Sequence, residues 1–207
     1  MAIPSRRLLE SRGLSYPPRQ ILLRAFKQER QLELWARDGS SFLLVKTYPI
    51  CASSGGPGPK RHEGDAQVPE GFYTVSGFNP RSQFHLSLHV SYPNASDRIL
   101  GRAPLGGDVF IHGNCVTIGC LPITDLLIEE LYVIAVASKD FAGAEIAVQS
   151  FPARLDDAAL ARLSKAHPES AAFWRNLKEG YDRFERDHAP LRVTVDGKGR
   201  YHFGESR

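Results

Sequence analysis

The sequence contains no apolar run approaching the roughly eighteen residues that a membrane-crossing helix requires, so none is expected. It has no charge block either. Its 26 Lys and Arg stand against 23 Asp and Glu, leaving a formal charge of +3 over 207 residues. Without a basic stripe interleaved with aromatics, nucleic acid is not an expected partner. Cysteine is scarce: three residues, an odd number, with no Cys-x2-Cys pair. A disulfide framework is therefore not expected. The start of the chain turns charged at Arg6, Arg7 and Glu10, too soon for the apolar core of an export signal. Repeats and low-complexity segments are absent. What remains is an ordinary globular balance, 42% hydrophobic and 24% charged, sized for one domain with appendages.

Periodicity predicts a β-rich α+β protein. A short helix is expected over Ser5 to Gly13, then strands over Ile21 to Phe26, Gln31 to Ala36 and Phe42 to Ile50. Polar turns at 27–30 and at Arg37-Asp38-Gly39-Ser40 join them. The alternation Leu32-Glu33-Leu34-Trp35 suggests one buried face and one wet face. A long Gly- and Pro-rich loop spans Ala52 to Glu70, a length common in functional loops. Strands follow over Glu70 to Val75, Phe84 to Val90 and Asp108 to His112. A helix is expected over Thr124 to Ala137, with Thr124 as N-cap. Beyond a strand at Glu145 to Val148, helices are expected over Asp156 to Ala166 and Pro168 to Asp187. A hairpin of Val193 to Val195 and Tyr201 to Phe203 closes the chain.

One stretch carries chemistry: Asp108-Val109-Phe110-Ile111-His112-Gly113-Asn114-Cys115-Val116-Thr117-Ile118-Gly119-Cys120. A thiol becomes a strong nucleophile when a base or a positive field ionises it. His112, at the end of an apolar strand, can be that base, and Cys120, after Gly119, the thiolate. Backbone N–H groups of Gly119 and Cys120 are candidates for an oxyanion hole. No Asp or Asn is forced as the group that orients the imidazole, so a backbone carbonyl such as that of Gly113 is a candidate. His112, Cys115 and Cys120 are also zinc-type donors. No general acid accompanies them in a zinc-enzyme pattern, so no metal and no cofactor is expected. A Cys115–Cys120 disulfide would abolish the nucleophile. Cys115 is read as packing in its loop and Cys51 as core.

Several separated segments resemble the L,D-transpeptidase catalytic-domain family, the YkuD-like fold, and within it the YafK-like branch. They are His112-Gly113 and Gly119-Cys120, the Gly64 to Tyr73 segment, Gly58-Pro59-Lys60, Ser91-Tyr92-Pro93-Asn94, Phe173-Trp174 and Gly180-Tyr181-Asp182. The resemblance covers roughly Pro18 to the end. It implies a YkuD-like sandwich or barrel with a helix after the catalytic motif and C-terminal helices packed on it. The expected division is a helical lead-in over 1–17, a catalytic domain over 18–152, and helices plus hairpin over 153–207 as a subdomain of the same fold.

The resemblance further implies a periplasmic, metal-independent enzyme acting on peptidoglycan stem peptides. Cys120 is then the nucleophile, His112 the base and Gly113 the carbonyl that orients it, with a thioester intermediate. Both L,D-transpeptidation and amidase release of a wall-anchored lipoprotein, by cutting a diaminopimelate–lysine bond, fall within the branch. The chain departs from the family pattern in two places. Thr117-Ile118 stands where Ser-His is usual, and Leu121-Pro122 where a small apolar residue and Arg are usual. An inactive peptidoglycan-binding module is the alternative. Arg61, His85, Tyr92, Asn114 and Thr117 are candidate substrate contacts. His85 and His89, four apart in a strand, share a face.

Overall fold

The computed structural model describes residues 2–205; Met1 of the expected lead-in and residues 206–207 of the expected C-terminal segment lie outside them. Eight strands form one mixed sheet curled into a half-barrel. They are β1 (Gln20–Phe26), β2 (Gln31–Arg37), β3 (Leu43–Pro49), β4 (Gly71–Ser82), β5 (His85–Val90), β6 (Phe110–His112), β7 (Leu121–Pro122) and β8 (Ala147–Phe151). Their order is β3-β2-β1-β8-β4-β5-β6-β7. Only β1 with β8 and β6 with β7 run parallel. A separate hairpin joins β9 (Leu191–Val195) and β10 (Tyr201–Glu205). The helices are α1 (Ala2–Glu10), α2 (Ala95–Leu100), α3 (Asp125–Ala142), α4 (Asp157–Ala166) and α5 (Ala171–Asp187).

The expected α+β architecture, with a helix after the motif and C-terminal helices on the sheet, is what the structure has. Ile21, Leu23 and Ala25 of β1 face the main core with Ile128, Leu131 and Ile134 of α3. Phe26 and Phe151 face Trp174, Leu177 and Tyr181 of α5 on the other side.

The wet face expected for β2 is absent. Glu33 and Trp35 are buried, because the C-terminal elements cover that side. Burying a carboxylate requires partners. Glu33 accepts from Trp35 Nε1 at 2.7 Å and from Arg154 Nη2 at 2.6 Å. Arg24, on the same side, donates to Gln149 at 2.9 Å and to Glu185 at 2.5 Å, with the Phe184 ring 4.3 Å from its guanidinium carbon.

Other expectations need correction. The helix expected from Pro168 begins as a 3₁₀ turn at Pro168–Ser170 and becomes α-helical at Ala171. Thr124 precedes α3 with φ of 70° and makes no side-chain cap bond. β4 runs on to Ser82, because past Thr74 it leaves β8 and continues along β5 alone. Helix α2 had no counterpart in the sequence reading. Asn94 starts it with a capping box: its side chain accepts from Asp97 N at 3.0 Å, and the Asp97 carboxylate accepts from Asn94 N at 3.1 Å.

Candidate active site

The parallel pairing of β6 with β7 brings the two halves of the motif together. Ile111 lies opposite Leu121 and His112 opposite Pro122. The intervening loop therefore doubles back and returns Cys120 beside the strand that ends in His112. The Cys120 thiol is half-buried and donates to the Asp108 carbonyl at 3.6 Å.

His112 is buried beneath the Phe84 ring, whose centroid is 4.9 Å from the imidazole's. Its Nδ1 lies 2.5 Å from the Gly113 carbonyl oxygen. A carbonyl only accepts, so Nδ1 carries the proton and Nε2 keeps its lone pair. Burial lowers the imidazole pKa, partly offset by this hydrogen bond, and so favours the neutral ring. Burial likewise pushes the Cys120 thiol up. The Phe110 main chain and the Lys60 charge act the other way, while Asp108 adds to the rise. Both shifts act in the same sense, toward a thiol and a neutral imidazole.

Two glycines shape the loop. Gly113 has no room for a side chain: a Cβ there would lie 2.6 Å from the Asp125 carboxylate and 2.9 Å from the Phe84 carbonyl. Gly119 has φ of +120°, where L residues are strained, and a Cβ would meet the Gln67 carbonyl at 3.1 Å.

Thr117 holds the backbone of Cys120. Its hydroxyl accepts from Cys120 N at 2.7 Å and donates to Cys120 O at 2.9 Å. The Cys120 N–H, an expected oxyanion donor, is thus engaged within the loop, and the Thr117 hydroxyl, an expected substrate contact, is turned inward. Asn114, at φ of 59°, ties the loop to α3 by donating its N–H to Asp125 Oδ1 at 2.7 Å. Its side chain accepts from Cys115 N at 2.6 Å.

Cys51 and Cys115 form a disulfide, with Cα atoms 5.5 Å apart. The reading of Cys51 as core and of Cys115 as merely packed in its loop is overturned. The two residues are 64 apart in sequence, and only the return of the motif loop against the end of β3 brings them together. The bond also takes the Cys115 sulfur out of any zinc-ligand arrangement and leaves Cys120 as the free thiol.

Cys120 opens onto a cavity of about 210 Å³ whose wall includes Ala52 to Pro57, the residues that follow Cys51. The long loop beyond is held by buried charges. Glu70 accepts from Lys27 Nζ at 2.9 Å, Gly58 N at 2.9 Å and Trp174 Nε1 at 2.7 Å. Lys60 is buried, donates to Asp65 at 2.7 Å and lies 5.9 Å from the Tyr92 ring centre. Burial opposes ionisation of Asp65, but Lys60 and the N–H groups of Arg61, His62 and Gln67 outweigh it and hold the carboxyl to about 2.

Sequence reasoning missed Lys27, Lys60 and Glu70 as parts of this framework. Lys60 and Glu70 sit within motifs already quoted, so their presence was visible but their partners were not.

Two expected substrate contacts lie away from the cavity. Arg61 faces Asp97 at 3.5 Å and covers Phe173 at 4.6 Å, lining a separate basin with Lys198 and Arg200. Tyr92 is buried and donates to the Leu105 carbonyl at 3.1 Å. Their partners come from distant segments that local pattern does not reveal. His85 is exposed beside Gly113 and pairs with Glu129 of α3 at 2.6 Å. His89 instead contacts Ser76 Oγ at 2.8 Å.

Comparison with known proteins places this geometry in a class. The model of the L,D-transpeptidase catalytic domain, YkuD, matches residues 21–139, and the chain belongs to that family. A family domain of this kind implies a peptidoglycan substrate. At the level of single proteins, the chain is 37% identical over 183 residues to "Putative L,D-transpeptidase YafK" of Escherichia coli K12, covering 87% of this chain and 72% of the relative. A relative from Escherichia coli O157:H7 matches equally. Among solved structures, the helical cell shape determining protein Pgp2 of Campylobacter jejuni superposes with a TM-score of 0.51 at 16% identity. That match covers 94% of this chain and 82% of the other, and is a likeness of fold. Among the described residues no helix is long and apolar enough to cross a membrane.

Proposed function

We propose that the chain is a periplasmic cysteine acyl-transfer enzyme acting on peptidoglycan stem peptides through a thioester. The observation that carries this reading is the pairing in the β6–β7 register. It sets Cys120, at a cavity, beside a strand whose terminal imidazole is fixed through Nδ1 on the Gly113 carbonyl.

In this mechanism Cys120 Sγ attacks the carbonyl carbon of a stem-peptide amide. His112 Nε2 takes the thiol proton as the bond forms. The Gly119 N–H is the remaining candidate donor toward the developing oxyanion. The C–N bond then breaks, and the proton passes from His112 to the departing amine. An acceptor amine discharges the thioester in transpeptidation, and water discharges it in hydrolysis. Release of a wall-bound lipoprotein from its diaminopimelate–lysine link uses the same steps with water as acceptor.

A second reading, a binding module without turnover, is favoured by one observation: the resting thiol is pushed up rather than down. The two separate on purified sacculi. Mass spectrometry of digests should reveal new cross-linked species or a released peptide tail with the wild type and neither with Cys120→Ala, whose circular dichroism stays native. Full activity in Cys120→Ala would overturn the catalytic reading.

A further inference from the structure

The cavity that holds Cys120 is lined by two cations, Lys27 and Arg30, and by no carboxylate. The two cations differ in kind. Lys27 is satisfied internally: its ammonium donates to the carbonyls of Gly58 at 2.7 Å and Val68 at 3.0 Å and to Glu70 at 2.9 Å, with Gln67 Oε1 at 3.3 Å. Its charge is neutralised by the buried Glu70. Arg30 is exposed, and its guanidinium has no hydrogen bond, ion pair or ring contact among the described residues. A net positive charge therefore stands at the rim of the thiol's cavity.

Two further observations point the same way. Arg30 occupies the left-handed region at φ of 53°, which costs an ordinary residue and suits Gly or Asn. Its backbone is nevertheless fixed there, donating to Lys27 O at 3.3 Å and accepting from Ile50 N at 2.8 Å. A tight turn thus carries a long cation where a smaller residue would fit the backbone better. On the same cavity wall, Ser54 Oγ is shielded from solvent and has no hydrogen-bond partner.

We propose that Arg30, with Ser54 on the wall of the same cavity, forms a carboxylate subsite that selects acyl-donor peptides bearing a free carboxylate near the bond attacked by Cys120. The subsite rests on the reading of Cys120 as nucleophile. Leu121 is buried, so the strand directly after Cys120 presents no cation; this one comes from the β1–β2 turn, 90 positions earlier in the chain. Guanidinium matches carboxylate through paired N–H donors.

The test measures binding, so it does not depend on turnover. Calorimetric titrations use Cys120→Ala and the double variant Cys120→Ala/Arg30→Asn. The probes are a purified tetrapeptide muropeptide with free carboxylates and its amidated counterpart. Arg30→Asn should weaken the acidic peptide roughly 10- to 100-fold, the range for a charged hydrogen-bonding partner. It should leave the amidated peptide unchanged and the thermal midpoint equal or higher. Arg30→Lys in the same background should recover only part of the loss, because an ammonium restores the charge but not the paired N–H donors. Equal binding of the acidic peptide to both proteins, equal weakening of both peptides, or no binding of either peptide to Cys120→Ala overturns the subsite. Turnover by the wild type is read separately: Arg30-dependent binding without any turnover supports the subsite and defeats the catalytic reading.

Discussion

The ionisation state of Cys120 yields the sharpest prediction. A thiol near its ordinary pKa is about 3% thiolate at pH 7. Burial pushes Cys120 upward, so its resting thiolate fraction lies below that figure. Burial also lowers His112, so an imidazolium is not available at rest to hold a thiolate by charge. The free protein should therefore react with iodoacetamide more slowly than free cysteine at pH 7. Because the fraction ionised rises about tenfold per pH unit below the pKa, the rate should climb continuously from pH 6 to pH 8. The reagent is small enough for a cavity of about 210 Å³. Stopped alkylation followed by mass spectrometry of the Cys120 peptide gives the rate, the other two cysteines being tied in their disulfide. The reasoning fails if the rate plateaus below pH 7, the signature of a preformed thiolate–imidazolium pair. It would then follow that proton transfer precedes substrate, not that it accompanies attack.

Two further outcomes follow from the framework around the site. Glu70→Gln leaves the Lys27 ammonium without its counter-charge in a buried setting, which should cost about 3–5 kcal/mol and is read as a shift of the urea midpoint; a shift under 1 kcal/mol would mean that solvent reaches Lys27. Replacing both Cys51 and Cys115 by Ala opens a loop of 64 residues' separation, an expected loss of about 4 kcal/mol from chain entropy. A wild-type midpoint indifferent to reducing agent would rule out that contribution.

Local pattern was enough for β1, β2, β3 and β5, for α4 and for the helix face of Trp174, Leu177, Tyr181 and Phe184, because apolar spacing along one segment directly specifies which side is buried. In the motif, a histidine at a strand end and a cysteine after glycine were legible as residue types. Local pattern failed at Glu33, where alternation looked like a wet face. A charged residue seen alone cannot announce that Arg154, 121 positions later, will neutralise it.

Sequence by itself thus determined the family and the β-rich α+β fold. Those depend on patterns contained within short windows. Tertiary structure alone decided that Cys51 meets Cys115, that Thr117 turns inward to hold the Cys120 backbone, and that Arg30, its guanidinium unpaired among the described residues, lines the same cavity as the thiol. Such outcomes hinge on distances of a few ångströms between segments far apart in the chain. Packing of the sheet and its two covering layers sets those distances, and no window of sequence encodes them.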